Sequence, residues 1–224
     1  MEGSHLRTWL AGIAEKEKPV RTILIALLMT LATNAVADPF TVNGNAVLYD
    51  TINSEVTEEI DYGHSEKLLE ILKTNENIEV LILTSEGGFI KAGYDIADVV
   101  IDAELNTHVD SICESTCATV FLAGKKRSLE LGAKIGFHSS YWAAEDIHEY
   151  YTSEKDRMGW ETPFEFASWL YEDTQAEVFS DFEYLLERGV NAKFAIRTLN
   201  ASSDSMWYPR RAELEAAGVL TEGR

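Results

Sequence analysis

Ile78-Glu79-Val80-Leu81-Ile82-Leu83-Thr84, followed at once by Ser85-Glu86-Gly87-Gly88, decides how the chain is built. A short run of leucine and β-branched residues reads as a buried parallel strand, because both of its faces must be apolar. Glu86-Gly87-Gly88 turns the chain, and a helix follows with Ile90, Tyr94, Ile96, Ala97, Val100 and Ile101 on its inner face. The same alternation recurs on both sides. Upstream, Ala46–Tyr49 is a strand. Ser54 then caps a helix reaching about Lys73, with Val56, Ile60, Leu68, Leu69, Ile71 and Leu72 as apolar positions and Gly63 weakening its middle. Downstream, His108–Ile112 is a strand, Ala118–Ala123 a short apolar helix and Lys134–His138 another strand. Glu161–Arg188 reads as a long helix with Pro163 in its first turn; Asn191–Leu199 and Arg211–Ala217 read as short ones, the last stopped by Gly218. Alternating strand and helix patterns predict an α/β domain, a mainly parallel sheet with helices on its faces.

Length and composition fit one such domain. The 224 residues are 46% hydrophobic and 25% charged, which argues against disorder, collagen and several domains. A chain of this size buries roughly 70% of the surface its unfolded form exposes, so a core forms without a metal or a disulfide. Nineteen basic residues against 38 acidic ones give a net charge of −19. That balance excludes non-specific nucleic-acid binding and electrostatic docking on anionic lipid, since phosphates need a basic face. Near the N-terminus, Lys18 and Arg21 precede an apolar run from Ile23 to Ala32, broken only by Thr30, and Ala35-Val36-Ala37 leads into Asp38-Pro39. Charged flank, apolar core and small-x-small site predict a secretory signal over residues 1–37, with an extension ahead of Lys18, cleaved after Ala37. The folded domain is then 38–224, and its expected address is a bacterial periplasm or the exterior. The apolar run is shorter than the about 20 residues of a membrane span. Membrane attachment is expected only if that segment is retained.

In open α/β sheets, chemistry gathers where strands hand over to helices. Three segments meet that description. Thr84-Ser85-Glu86-Gly87-Gly88 ends the most apolar strand, and its two glycines turn tightly while leaving N–H groups open, as an oxyanion hole requires. Cys113-Glu114-Ser115-Thr116-Cys117-Ala118 places a serine hydroxyl near a helix N-terminus, where partial positive charge favours a developing alkoxide. Gly136-Phe137-His138-Ser139 ends another strand and offers an imidazole to take the serine proton. Each segment taken alone has a plainer reading: a turn, a helix-capping serine, a packed histidine. Their order along the chain is what distinguishes them.

That order, with the surrounding residues, resembles the Clp protease/crotonase superfamily. Leu81-Ile82-Leu83-Thr84-Ser85-Glu86-Gly87-Gly88-Phe89-Ile90-Lys91-Ala92-Gly93 is similar to the family's apolar strand, Ser-Pro-Gly-Gly turn and following Ala-Gly. Ser115 stands nine residues before Gly124, the family's interval between nucleophile and helix-ending glycine. Ala133-Lys134-Ile135-Gly136-Phe137-His138 resembles the strand that carries the family's histidine, and Met206-Trp207-Tyr208 through Glu213–Leu220 resembles its closing strand and helix. The resemblance covers about residues 45–138 and 190–221, and it is nearest to exported bacterial Clp-like proteins of unassigned function. It implies Ser115 as nucleophile, His138 as general base, and the Gly88 and Thr116 N–H groups as oxyanion hole. Asp204 best matches the family's third catalytic residue, with Asp181 and Glu187 as rivals. It also implies a peptide or unfolded-protein substrate, a homo-oligomer such as a ring or trimer, and no cofactor. Outside the cytoplasm no ATP-driven unfoldase would feed the site.

Some residues depart from the pattern. Glu86 replaces a proline, and Glu114 replaces a small residue directly before the serine. A carboxylate lying close to the imidazole there would favour its charged form and oppose an anionic intermediate. Cys113 and Cys117 flank Ser115 at a spacing that a disulfide can bridge; the alternative is two small buried thiols. Two cysteines without a second pair make a thin metal site. Residues 139–188 form an acidic, aromatic insertion outside the family pattern. Its Tyr141, Trp142, Trp160, Phe164, Phe166 and Trp169 read as core packing, or else as a lid or an oligomer surface. Asp146, His148 and Glu149 read as an exposed loop. The expected function is an exported serine hydrolase, a peptidase. The alternatives are a non-catalytic exported binding module on the same scaffold and, more weakly, a crotonase-like acyl-thioester enzyme.

Overall fold

A computed structural model describes residues 38–53 and 59–221. It opens with an antiparallel hairpin, β1 (Phe40–Asn43) and β2 (Ala46–Asp50), turned at Gly44 with φ +61°. From β2 onward the sheet is parallel: β3 (Val80–Ser85) pairs with β2, β4 (Asn106–Glu114) with β3, and β5 (Arg127–Leu129) and β6 (Lys134–Gly136) both with β4. The helices between them are α1 (His64–Thr74), α2 (Ile90–Asp102) and α3 (Thr116–Leu122). Four more follow: α4 (Ala144–Met158), α5 (Pro163–Glu187), α6 (Ala192–Leu199) and α7 (Arg211–Ala217). The α/β expectation therefore holds, with a mostly parallel sheet and flanking helices. Tyr49, Leu81, Leu83, Ile96, Val109, Phe121 and Ile135 are fully buried at its centre.

Strand β4 positions the site. Its first half lies between β3 and β5, with His108 opposite both Ile82 and Ser128; its second half pairs with β6, with Glu114 opposite Gly136. Between the halves the register with β3 shifts, and Asp110 and Ser111 stand out into solvent. An irregularity of this kind re-aims the strand beyond it. Here it carries Glu114 and Ser115 to the end of β6, next to the chain that leads into His138.

Several expectations need correcting. The helix foreseen from Ser54 begins at His64; Ser54 and Val56 lie outside the described residues. Ile60 instead pairs as a short parallel bridge with Gly88. Gly63, at φ +87°, bends the chain into α1 rather than sitting within it. Asp146, His148 and Glu149 belong to α4, not to a loop. Glu145 and Asp146 in its first turn and Lys155 and Arg157 in its last suit the helix dipole, and Gly159 closes it in the left-handed conformation. No α4 residue is buried, so the apolar stripe that announces a helix is weak there. The aromatic insertion divides. Tyr150 and Tyr151 of α4 pack with Trp160, Phe166 and Trp169, the Trp160 and Phe166 centroids being 4.9 Å apart, while Tyr141 and Phe164 are exposed.

The C-terminal segments are tied back by arginines. Arg127 is buried and donates to the carbonyls of Leu122, Gly218 and Val219, which anchors the chain after α7. Burial lowers its pKa to about 10, so the charge persists at neutral pH. Arg188 donates to the carbonyls of Leu122 and Ala123 and seats the end of α5 on α3.

Candidate active site

Ser115 occupies the corner between β4 and α3 with φ +53° and ψ −127°, a conformation that a residue with a Cβ rarely adopts. Its N–H donates to the Gly136 carbonyl at 3.1 Å, and its own carbonyl accepts from Ala118 N at 2.9 Å. Around it Cys113 and Cys117, both fully buried, form a disulfide with their Cα atoms 5.2 Å apart. The covalent bridge spans the turn whose middle residue is the serine. A strained corner persists only where its surroundings over-determine it, and strand pairing, helix and bridge together do so here.

The diglycine turn lies against this corner. A Cβ on Gly87 would stand 2.8 Å from the Ser115 Cβ and 2.9 Å from the Glu114 carbonyl, so the approach requires glycine. Gly88, at φ +152°, is equally constrained on its other side, where a Cβ would meet the Ile60 carbonyl oxygen at 2.3 Å. Ser85 is fully buried; its Oγ accepts from Thr51 Oγ1 at 2.8 Å and from Gly87 N at 3.1 Å. Thr116 Oγ1 donates to the Gly88 carbonyl at 2.9 Å, joining the loop to the first turn of α3. The N–H groups of Gly88 and Thr116 donate to no acceptor among the described residues.

His138 completes the pair. Its Nε2 lies 2.7 Å from Ser115 Oγ. Just before it, Phe137 exchanges two backbone hydrogen bonds with Trp207, at 2.8 and 2.9 Å, so the C-terminal segment fixes the imidazole's backbone. His138 Nδ1 is buried and has no hydrogen-bond partner among the described residues. This corrects the expectation for Asp204, which is exposed in a turn where its own N–H donates to Ser202 Oγ at 3.2 Å. Neither rival is on Nδ1. Asp181 accepts from Tyr94 OH at 2.6 Å, and Glu187 is exposed. Glu114 is also resolved: its carboxylate accepts from Tyr208 OH, which raises that phenol to about 12, and it does not line the cavity at Ser115.

Ser115 and His138 open on a cavity of about 710 Å³ that Gly87, Gly88, Phe89 and Thr116 also line. Tyr94 and Tyr184 form its inner wall, their rings 5.1 Å apart edge to face, and burial raises both phenols. Neither tyrosine stands out in the sequence as a site residue, since each has the spacing of a packed helix face. The arrangement combines a hydroxyl within hydrogen-bond reach of an imidazole and two unengaged amides at the same corner. Chemically it can deprotonate the serine and receive an oxyanion.

Among solved structures the chain is similar to an asparagine-to-aspartate mutant of ClpP1 from Listeria monocytogenes, with a TM-score of 0.51 and 15% identity, covering 79% of this chain and 89% of that one. The chain has the Clp protease fold. The likeness covers most of the domain and shows its fold. No protein-family model matches the sequence, and no curated protein does. In this Clp fold the serine, the imidazole and the diglycine turn meet at the end of the parallel sheet where β4 and β6 finish.

Proposed function

We propose that the protein is an exported serine peptidase that acts by acyl transfer. The observation that carries this reading is the 2.7 Å contact between Ser115 Oγ and His138 Nε2 at a strained strand-to-helix corner. Ser115 attacks the scissile carbonyl while His138 takes its proton; the Gly88 and Thr116 amides hold the oxyanion. His138 then passes the proton to the leaving amine, and water releases the acyl group by the same route in reverse. A buried disulfide at the nucleophile favours an oxidising compartment, as does the signal-like segment 1–37. Exposed Phe164, Phe179 and Tyr171 on α5 support a homo-oligomer assembled through that helix. With no unfoldase to feed it, the site takes short peptides and unfolded segments.

The test is labelling of the protein by a fluorophosphonate probe. Ser115→Ala is expected to abolish labelling and keep the fold; equal labelling of both forms refutes the mechanism. One observation favours a second reading, the non-catalytic binding module: His138 Nδ1 lacks the carboxylate that normally orients the imidazole. Removing such a carboxylate from a serine triad lowers turnover by about 10⁴. On that reading neither form is labelled. The acyl-thioester reading needs the amides but no nucleophile, and the serine–imidazole contact weighs against it.

A further inference from the structure

A second cavity of about 280 Å³ adjoins the first beside His138; His138, Tyr141 and Asp181 line both. Its size is near the lower end of the about 300–1,000 Å³ usual for ligand pockets. Trp142, Leu170, Val178 and Leu199 give it apolar walls, and Glu177 and Asp181 give it carboxyl groups. These two stand four residues apart on α5 and so share one helix face. Among the described residues no lysine or arginine lines either cavity, whereas Glu59, Glu86 and Asp146 add three further carboxyl groups to the first. Asp181 has only a phenol for a partner, Tyr94 OH on Oδ1; its Oδ2 has none among the described residues.

We propose that Asp181, supported by Glu177, is the specificity determinant of this site: the cavity beside His138 receives the lysine or arginine side chain of a peptide substrate next to the bond that Ser115 attacks. This rests on the reading of Ser115 as nucleophile. A long aliphatic stem with a cationic head matches the pocket group for group. The stem lies along Leu199, Val178 and Trp142, as such side chains do on apolar surface, and the head reaches the carboxyl groups. The pKa values of both acids are raised, Asp181 by burial and Glu177 by burial and by the neighbouring charges of Asp181 and Asp173. A bound cation removes that penalty. A neutral side chain leaves it in place, and an acidic one adds to it.

The experiment compares kcat/KM for peptide amides that differ only in the residue before the scissile bond (lysine, arginine, norleucine, glutamate), using the full chain and Asp181→Asn. The asparagine keeps an acceptor for Tyr94. Wild type is expected to favour lysine over norleucine by about tenfold or more, the scale of one charge-assisted contact of 1.5–3 kcal/mol. Asp181→Asn is expected to erase most of that ratio, and Glu177→Gln to reduce it. A wild-type ratio near one, or a ratio unchanged in Asp181→Asn because all substrates fall together, overturns the assignment. If no peptide is cleaved and Ser115 is not labelled, the peptidase reading fails by itself. Benzamidine binding to Ser115→Ala, with and without Asp181→Asn, then decides the pocket: loss of binding in the double variant supports it, and equal or absent binding in both refutes it.

Discussion

Replacing Ser115 by glycine should make the protein more stable than replacing it by alanine, the reverse of the usual order. Both substitutions remove the hydroxyl and its contact with His138, so that loss cancels in the comparison. What remains is the backbone at φ +53° and ψ −127°. Alanine must hold it at a cost of about 1–3 kcal/mol, whereas glycine adopts it freely. Glycine's freer unfolded chain returns about 0.4–1 kcal/mol of that advantage. The net difference is roughly 0.5–2 kcal/mol in favour of glycine, or about 1–8 °C in melting temperature for a domain of this size. Thermal melts of Ser115→Gly and Ser115→Ala under identical oxidising conditions provide the measurement. Glu149, exposed within α4, is the control: there glycine should be less stable than alanine by about 0.5–1 kcal/mol. If alanine at 115 equals or exceeds glycine, the corner is not strained and the reasoning about how it is held fails.

Gly88→Ala drives a Cβ to 2.3 Å from the Ile60 carbonyl oxygen and 2.4 Å from the Ile60 nitrogen, both backbone atoms that cannot swing away. Losing the bridge's two hydrogen bonds and straining φ should cost about 2–5 kcal/mol, whereas Gly44→Ala, with open space around it, should show only the strain; equal urea midpoints for the two would contradict this. Removing the disulfide with Cys113→Ala and Cys117→Ala frees a loop closed over a few residues, worth about 2 kcal/mol by chain entropy, and should slow fluorophosphonate labelling of Ser115; unchanged melting and labelling would show that the bridge restrains nothing. The pKa of Asp181 is raised on folding, so its favourable contribution is full below the ordinary carboxyl value of 3.8 and is lost as pH rises through the folded value. Asp181→Asn lacks that loss and should gain stability relative to wild type as pH climbs from about 3.8, and parallel stability–pH curves would argue against a buried charge there.

How much of this is legible in the residues alone depends on whether a feature leaves a local imprint. The run Ile78–Thr84 announces β3 because a strand covered on both faces must be apolar throughout. Ser115 and His138 stand out because each follows a strand, and the parallel pairing of Glu114 with Gly136 then brings together groups 23 residues apart. The rest lacked such marks. Helix α4 buries no residue, so its periodicity is faint, and β5 is only three residues long. The Ile60–Gly88 bridge interrupts a stretch whose apolar spacing suits a helix. The Asp204 assignment followed sequence position, but position along the chain does not aim a carboxylate; here a local turn holds that residue in solvent. Glu114 directly before Ser115 reads in the sequence as electrostatically costly, and a phenol 94 positions away in the chain draws its carboxylate aside.

The backbone bridge between Phe137 and Trp207 bears on when the site comes into being. Ser115 and His138 lie 23 positions apart, yet the residue that pins the imidazole's strand comes more than ninety positions after Ser115. A ribosome therefore releases the serine and the histidine well before it releases their clamp. During synthesis the growing polypeptide holds the serine and the imidazole without the registration that aligns them, and their 2.7 Å contact is secured only once the Trp207 segment has emerged.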